Sequence, residues 1–273
     1  MSLYDKVIKP KKMVLSNGKV IEEKASRTPV ILLLLAIAIV ISVKVTGFNF
    51  KMLVQRGNQF WVILSQMVPP NTNYLTSIWQ PLLDTIKMSL LGSFIGSVLA
   101  VPFAIVASTN IVQQRMVIRV VRFFLSLVRT LPTLVTALIA TYIFGLGTTA
   151  GTFAIAVFTL SYVGKQLYEQ IETVDMGSYE AMEALGADKL RAFISAVMPQ
   201  VLPNYFSTSL FCFEGNVRYA SILGYAGASG LGLILNEKIG WRDYPSVGMI
   251  LLVLFATVLI IETVSQYIRR KLS

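Results

Sequence analysis

The chain has 273 residues, 55% hydrophobic and only 14% charged, with a formal net charge of +10. A soluble domain carries about 25% charged residues, so this composition excludes a wet globular surface and points to one integral membrane domain. The absence of histidine removes His general bases, Ser-His-Asp triads and His metal ligands, and the single Cys212 removes an intrachain disulfide and a Cys zinc site.

The bases sit at the ends of apolar runs rather than among aromatic residues, which reads as membrane topology and not as nucleic-acid recognition. Residues 1–28 hold seven bases and three acids and read as a cytoplasmic N-terminal segment. The apolar run 29–45 follows as a first, uncleaved span, because "SVKVTGF" makes a poor signal-peptide exit. Residues 46–80 contain Trp61, Trp79 and Pro69-Pro70. Their middle, "FWVILSQMV", is too short to span, so residues 29–80 read as one transmembrane helix followed by an external interfacial segment.

A transmembrane domain is expected over 81–273. Its first span, at 82–107, places Ser89, Gly92, Ser93, Gly96, Ser97 and Ala100 on one helical face, where small side chains let a second helix approach. Arg115, Arg119, Arg122 and Arg129 then form a helical stripe. They predict a helix lying on the inner surface, its bases toward anionic headgroups or a cytoplasmic partner, that bends into the third span near Pro132. "GLGTTAG" leads into a fourth span at 152–168, and the fifth and sixth are expected at 201–223 and 244–267. The expected fold is therefore all-α: a polytopic membrane bundle of about six helices, with both termini cytoplasmic.

The segment 169–199 stands apart. From 169 to 191 it carries six acids against two bases, between two apolar runs. Glu180 suits the first turn of a short helix, Gly186 a left-handed stop, and Asp188 the cap of a second helix that Pro199 kinks or closes. Ala181, Ala184 and Leu185 would form a small apolar surface ringed by acids, Glu183 among them. Such a surface suits docking of a soluble protein.

Within the spans, Glu214 and Arg218 are four residues apart, an order that favours an ion pair. The sharper reading places Arg218 in the outer half of the bilayer on an anion pathway, with Glu214, Asn216 and Lys87 as further candidates. Gly224, Gly227, Gly230 and Gly232 lack the Lys-Ser/Thr of a phosphate-cradling loop, so the chain carries no ATP-binding motif of its own. They are candidates for close packing, or for a gate, at the outer mouth.

Glu180-Ala181-Met182, three residues, Gly186, nine residues and Ala196-Val197-Met198-Pro199 resemble the E-A-A…G…I-x-L-P signature of the inner-membrane subunits of binding-protein-dependent ABC importers. Met182, Ala196 and Met198 depart from it. From Met67 onward, "RTLPTLVTALI", "EGNVRYASILGYAGASGLG" and "RRKL" resemble the permease of phosphonate ABC transporters more narrowly.

The resemblance implies a type I importer permease in a prokaryotic inner or plasma membrane. It implies a second permease copy, two ATPase subunits docked at the acidic segments and an extracytoplasmic substrate-binding protein. It also implies that ATP and Mg are bound by the partners, with no cofactor in this chain. A permease of the same family for an amino acid or osmolyte stays open, and so does an ion-gradient carrier, although no inverted repeat is visible.

Overall fold

The computed structural model describes residues 12–14, 18, 20–22 and 28–272. The rest of the basic leader and Ser273 lie outside the described residues. The chain divides into two compact units, residues 1–62 and 63–273.

In the first unit, β1 (Lys12–Val14) pairs antiparallel with β2 (Val20–Glu22), Lys12 opposite Glu22. The Asn17-Gly18 pair between them is the hairpin signal that the charge count alone passes over. α1 (Thr28–Val45) is a run of apolar residues, all exposed, about 27 Å long at 1.5 Å per residue. That length suits the hydrocarbon core of a bilayer. α2 (Phe50–Gln66) begins in this unit. The expected interfacial segment is thus one 17-residue amphipathic helix, with Phe60 and Trp61 edge to face at 5.4 Å.

The second unit opens with a 3-10 turn at Thr72–Tyr74 and α3 (Leu75–Ala107). α3 starts well before the expected boundary and contains Trp79 and Pro81, so Trp79 lies on the helix that carries the span rather than in a loop. Pro81 and Pro102 lie inside α3, where each lacks the N–H of an i→i−4 hydrogen bond. α4 (Arg115–Thr130) and α5 (Thr133–Phe144) meet at 90° across Leu131-Pro132, the predicted bend. α6 (Thr148–Thr173) leads to α7 (Gly177–Ala184). α8 (Lys189–Ala192), a π turn (Phe193–Val197) and α9 (Met198–Leu223) follow. A 3-10 turn at Gly224–Ala226, α10 (Leu231–Gly240) and α11 (Tyr244–Leu272) complete the unit.

By length and composition, three helices among the described residues could cross a membrane, or four if α4 and α5 form one bent span. Six were expected. α6 and α9 are long enough, but they carry Lys165, Gln166, Glu169 and Glu172, and Glu214, Asn216 and Arg218. Helices packed against other helices need not be apolar all round, and α6 is such a helix. It packs against α3, α4, α5 and α9 and buries eleven of its residues, among them Ala154, Ile155, Thr159, Val163 and Leu167.

The small face of α3 meets α6 as its spacing predicts. A Cβ on Gly96 would lie 2.5 Å from the Ala156 carbonyl oxygen and 2.6 Å from Thr159 Cβ. The two backbones therefore touch, which only a glycine at this position permits.

Candidate coupling segment and polar pathway face

α6 ends at Thr173, and the Asp175 carboxylate accepts a hydrogen bond from the Gly177 N–H at 2.9 Å, starting α7. α7 ends as Gly186 takes φ +88°, with its N–H donating to the Glu183 carbonyl at 2.9 Å and the Ala187 N–H to the Met182 carbonyl at 3.0 Å. No atom lies within 4 Å of where a Gly186 Cβ would be, so the glycine answers a backbone need and not a packing one. Asp188 caps α8 by accepting from the Leu190 N–H at 3.3 Å.

Of the two expected outcomes at Pro199, a kink or a close, the helix does not close. It passes through the π turn and continues as α9, with Pro199 at the first positions of that helix. The missing Pro199 N–H accounts for the local widening to π geometry. The candidate coupling segment therefore runs through the π turn without a loop into a candidate pathway helix.

Tyr179, Ala192, Phe193, Ala196 and Val197 are buried with Ala104, Leu167, Ile171 and Val201, which fixes the inner face of the segment on α3, α6 and α9. Burial, and then Glu183 and Asp188, raise the Tyr179 hydroxyl pKa above its ordinary value. The outer face presents Glu180, Ala181, Ala184, Leu185 and Gly186, all exposed, with Leu185 at 88%. Glu183 is half-buried and accepts from Tyr179 OH at 3.3 Å, and Pro199 is exposed.

A latch below this segment escapes sequence reading. Glu172 Oε1 accepts from the Thr109 N–H at 2.8 Å, from Thr109 Oγ1 at 2.5 Å, and from the Arg122 guanidinium. Arg122 Nε also donates to the Ala107 carbonyl at 2.9 Å, and its guanidinium lies 4.5 Å from the Tyr168 ring centroid. Asn110 Nδ2 donates to the Ile171 carbonyl at 2.7 Å. Arg122 therefore turns inward, against the expectation that the whole stripe faces headgroups or a cytoplasmic partner, while Arg115, Arg119 and Arg129 stay exposed. Its partner is an acid fifty residues away, a pairing that helical spacing cannot reveal.

On α9, Asn204, Ser207, Thr208, Phe211 and Arg218 recur at helical spacing. Ser207 and Arg269 of α11 line two adjoining cavities of about 390 and 230 Å3, with Asn204 and Gln266 in one and Tyr162, Gln166 and Thr208 in the other. Glu214 is 5% exposed and binds Arg218 at 2.6 Å and Arg269 at 3.2 Å, while Arg218 also reaches Glu262 at 3.3 Å. The expected ion pair exists within a network of two acids and two bases. Its partners Glu262 and Arg269 lie in the C-terminal half of α11.

Asn216 is 1% exposed and donates to Ser93 Oγ at 2.8 Å and Thr159 Oγ1 at 2.9 Å. It therefore joins α3, α6 and α9 instead of lining an open path. Lys87 is exposed on α3 and shares no hydrogen bond or ion pair with Arg218 among the described residues.

The four glycines lie in close-packed backbone. A Cβ on Gly224 would be 2.0 Å from the Gly232 carbonyl carbon, and one on Gly230 would be 2.5 Å from Thr85 Oγ1. Thr85 Oγ1 accepts from the Leu231 N–H at 2.8 Å, the Ala226 carbonyl accepts from Thr141 Oγ1 at 2.8 Å, and the Gly227 carbonyl accepts from the Gly147 N–H at 3.2 Å. The stretch thus ties together the ends of α3, α5, α6, α9 and α10.

The second unit is an apolar helical bundle with a polar face shared by two of its helices and an exposed acidic helix-turn-helix continuous with one of them, the make-up of a membrane transport subunit. The chain belongs to the family of binding-protein-dependent transport system inner membrane components, whose model matches residues 100–273.

Within reach of that family, the chain is 32% identical over 211 residues to the phosphate-import permease protein PhnE of Mycolicibacterium smegmatis. That match covers 77% of this chain and 40% of the relative, so the chain spans well under half of that protein. It is also 32% identical over 208 residues to the phosphite transport system permease protein PtxC of Stutzerimonas stutzeri, covering 76% of each. The fold is similar to that of a solved chain of the inward-facing MetNI methionine ABC transporter, with TM-score 0.67 and 19% identity over 74% of this chain and 99% of that one.

Proposed function

We propose that this chain is the permease through which an ATP-driven importer moves a small phosphorus oxyanion: a phosphonate, phosphite or phosphate. The reading rests on the similarity to a phosphite permease over three quarters of both chains. The polar face of α9 and α11, with Arg218 and Arg269, offers guanidinium groups suited to such an anion. Glu180, Ala181, Glu183, Ala184 and Gly186 dock an ATPase subunit, and Pro199 passes its motion into α9. ATP and Mg are bound by two such subunits, a second permease copy completes the pathway, and a binding protein delivers substrate on the opposite face. Both termini lie on the ATPase side. Glycines 224 to 232 then seal the outer mouth.

Uptake tests the substrate class. Deleting the chain under phosphorus limitation should abolish uptake of at least one of methylphosphonate, phosphite or phosphate, and restoring it should recover that uptake. If all three persist while uptake of an amino acid or glycine betaine is lost, the substrate assignment is wrong.

A further inference from the structure

A cavity of about 340 Å3 lies between α4 and α6, at the same end of the bundle as the coupling segment. Arg122, Arg129, Lys165, Ser126 and Tyr168 contribute to its wall. Glu172 accepts from Arg122, and Glu169 pairs with Lys165 at 3.2 Å, but neither carboxylate lines the cavity. Arg129 has no ion pair or hydrogen bond among the described residues. Three cations, a serine hydroxyl and a phenol around one opening offer donors on several sides and no acid within it.

We propose that this cavity is a phosphoryl-binding site, with Arg129 and Lys165 as its principal ligands, taking either the headgroup phosphate of an anionic phospholipid or free phosphate from solution. A tetrahedral oxyanion accepts from several directions at once, which a guanidinium, an ammonium and two hydroxyls satisfy better than a planar carboxylate would. Because α4 turns 90° into α5, these cations lie where the apolar run of α5 begins, the level of headgroups in a bilayer. Basic pockets between membrane helices at that level are suited to anionic headgroups. The site is distinct from the candidate substrate face in its lining: α6 contributes Lys165 and Tyr168 here and Tyr162 and Gln166 to the cavity it shares with α9 and α11, with no residue in common.

The test uses the full chain with its partner subunits in nanodiscs. One arm has phosphatidylcholine with phosphatidylglycerol, and native mass spectrometry counts the phosphatidylglycerol that stays bound. The other has phosphatidylcholine alone, with radiolabelled inorganic phosphate in equilibrium dialysis. Saturable retention in the first arm identifies the lipid as ligand, and saturable binding in the second identifies free phosphate.

Either result supports the site if Arg129→Gln or Lys165→Gln weakens it about tenfold or more, the loss of one charge-assisted contact, while Arg129→Lys recovers part of it. Arg115→Gln and Arg119→Gln, on the exposed side of α4, should leave it unchanged. No saturable binding in either arm, or binding that depends on Arg115 and Arg119 but not on Arg129 and Lys165, overturns the proposal. Persistence of methylphosphonate, phosphite and phosphate uptake after deletion, which would overturn the substrate assignment, would leave this result untouched, so the two readings fail separately.

Discussion

Glu214 of α9 holds Arg269 of α11 at 3.2 Å through one carboxylate oxygen, while its other oxygen holds Arg218 at 2.6 Å. A 5%-exposed carboxylate is thus shared between a neighbour on its own helix and one near the far end of another. The two arginines differ in their surroundings. The Arg269 side chain is 23% exposed and that of Arg218 is 51% exposed.

Removing a partner from a buried carboxylate costs about 3–5 kcal/mol when nothing replaces it, whereas an exposed pair contributes about 0–1 kcal/mol. Each single variant leaves Glu214 one arginine, so Arg269→Gln and Arg218→Gln should each lower the thermal midpoint of the detergent-solubilised protein modestly, Arg269→Gln the more because its side chain is less exposed, and only the double variant should lower it by the full cost of an unpaired buried carboxylate. Arg218→Gln should nevertheless reduce uptake with assembly intact. Normal transport in that variant would remove Arg218 from the pathway.

Gly186 tests the docking surface without touching packing. A β-branched residue at φ +88° is strained by about 1–2 kcal/mol, and Asn tolerates the same conformation far better. Gly186→Val should therefore unwind the end of α7 and reduce co-isolation of an ATP-hydrolysing subunit severalfold, while Gly186→Asn should retain most of it. Equal retention in both variants would mean that the turn is not part of the docking surface.

How far the sequence carries the fold depends on the range of the interaction. The bend at Pro132, the small face of α3, the turn at Gly186 and the Asp188 cap are local, and each is legible from a few neighbouring residues. The docking pattern is legible for the same reason. Arg122 with Glu172, Asn216 with Ser93 and Thr159, and Glu214 with Arg269 join residues far apart in the chain. Periodicity places each on a helix face but does not say which faces meet. Asn216 is such a case: its polarity suggests a pathway, and its hydrogen bonds tie three helices. Arg269 is another, because its acid lies on another helix.

Gly96 is where a single methyl group should matter most. Its Cβ position lies 2.5 Å from a backbone oxygen of α6, and backbone cannot yield as a flexible side chain can. Overpacking of this kind costs about 1–3 kcal/mol, so Gly96→Ala should lower the thermal midpoint measurably and Gly96→Leu should abolish folded protein. Gly57, with nothing within 4 Å, is the control, and its Ala variant should be neutral or slightly stabilising. If Gly96→Ala matches that control, α3 and α6 do not touch as described.

Glu172 carries the pH dependence of the latch. Burial alone would raise its pKa, but the hydrogen bonds from Thr109 and Arg122 outweigh burial and hold it below the ordinary carboxylate value. A depressed folded-state value means that the group contributes stability above its unfolded value, near pH 4.3, and loses that contribution as pH falls through the folded one. Glu172→Gln removes the charge and keeps an acceptor for Thr109, so the difference from wild type should be about 1–2 kcal/mol at neutral pH. Because the other carboxylates are common to both proteins, that difference isolates Glu172. It should hold constant from neutral pH down to about pH 5 and shrink below that as the wild-type carboxylate takes up its proton. Thermal midpoints of the two proteins across this range give the answer. A difference that does not change with pH would show that Glu172 acts by shape alone, and that Arg122 is held by Ala107 and Tyr168 without it.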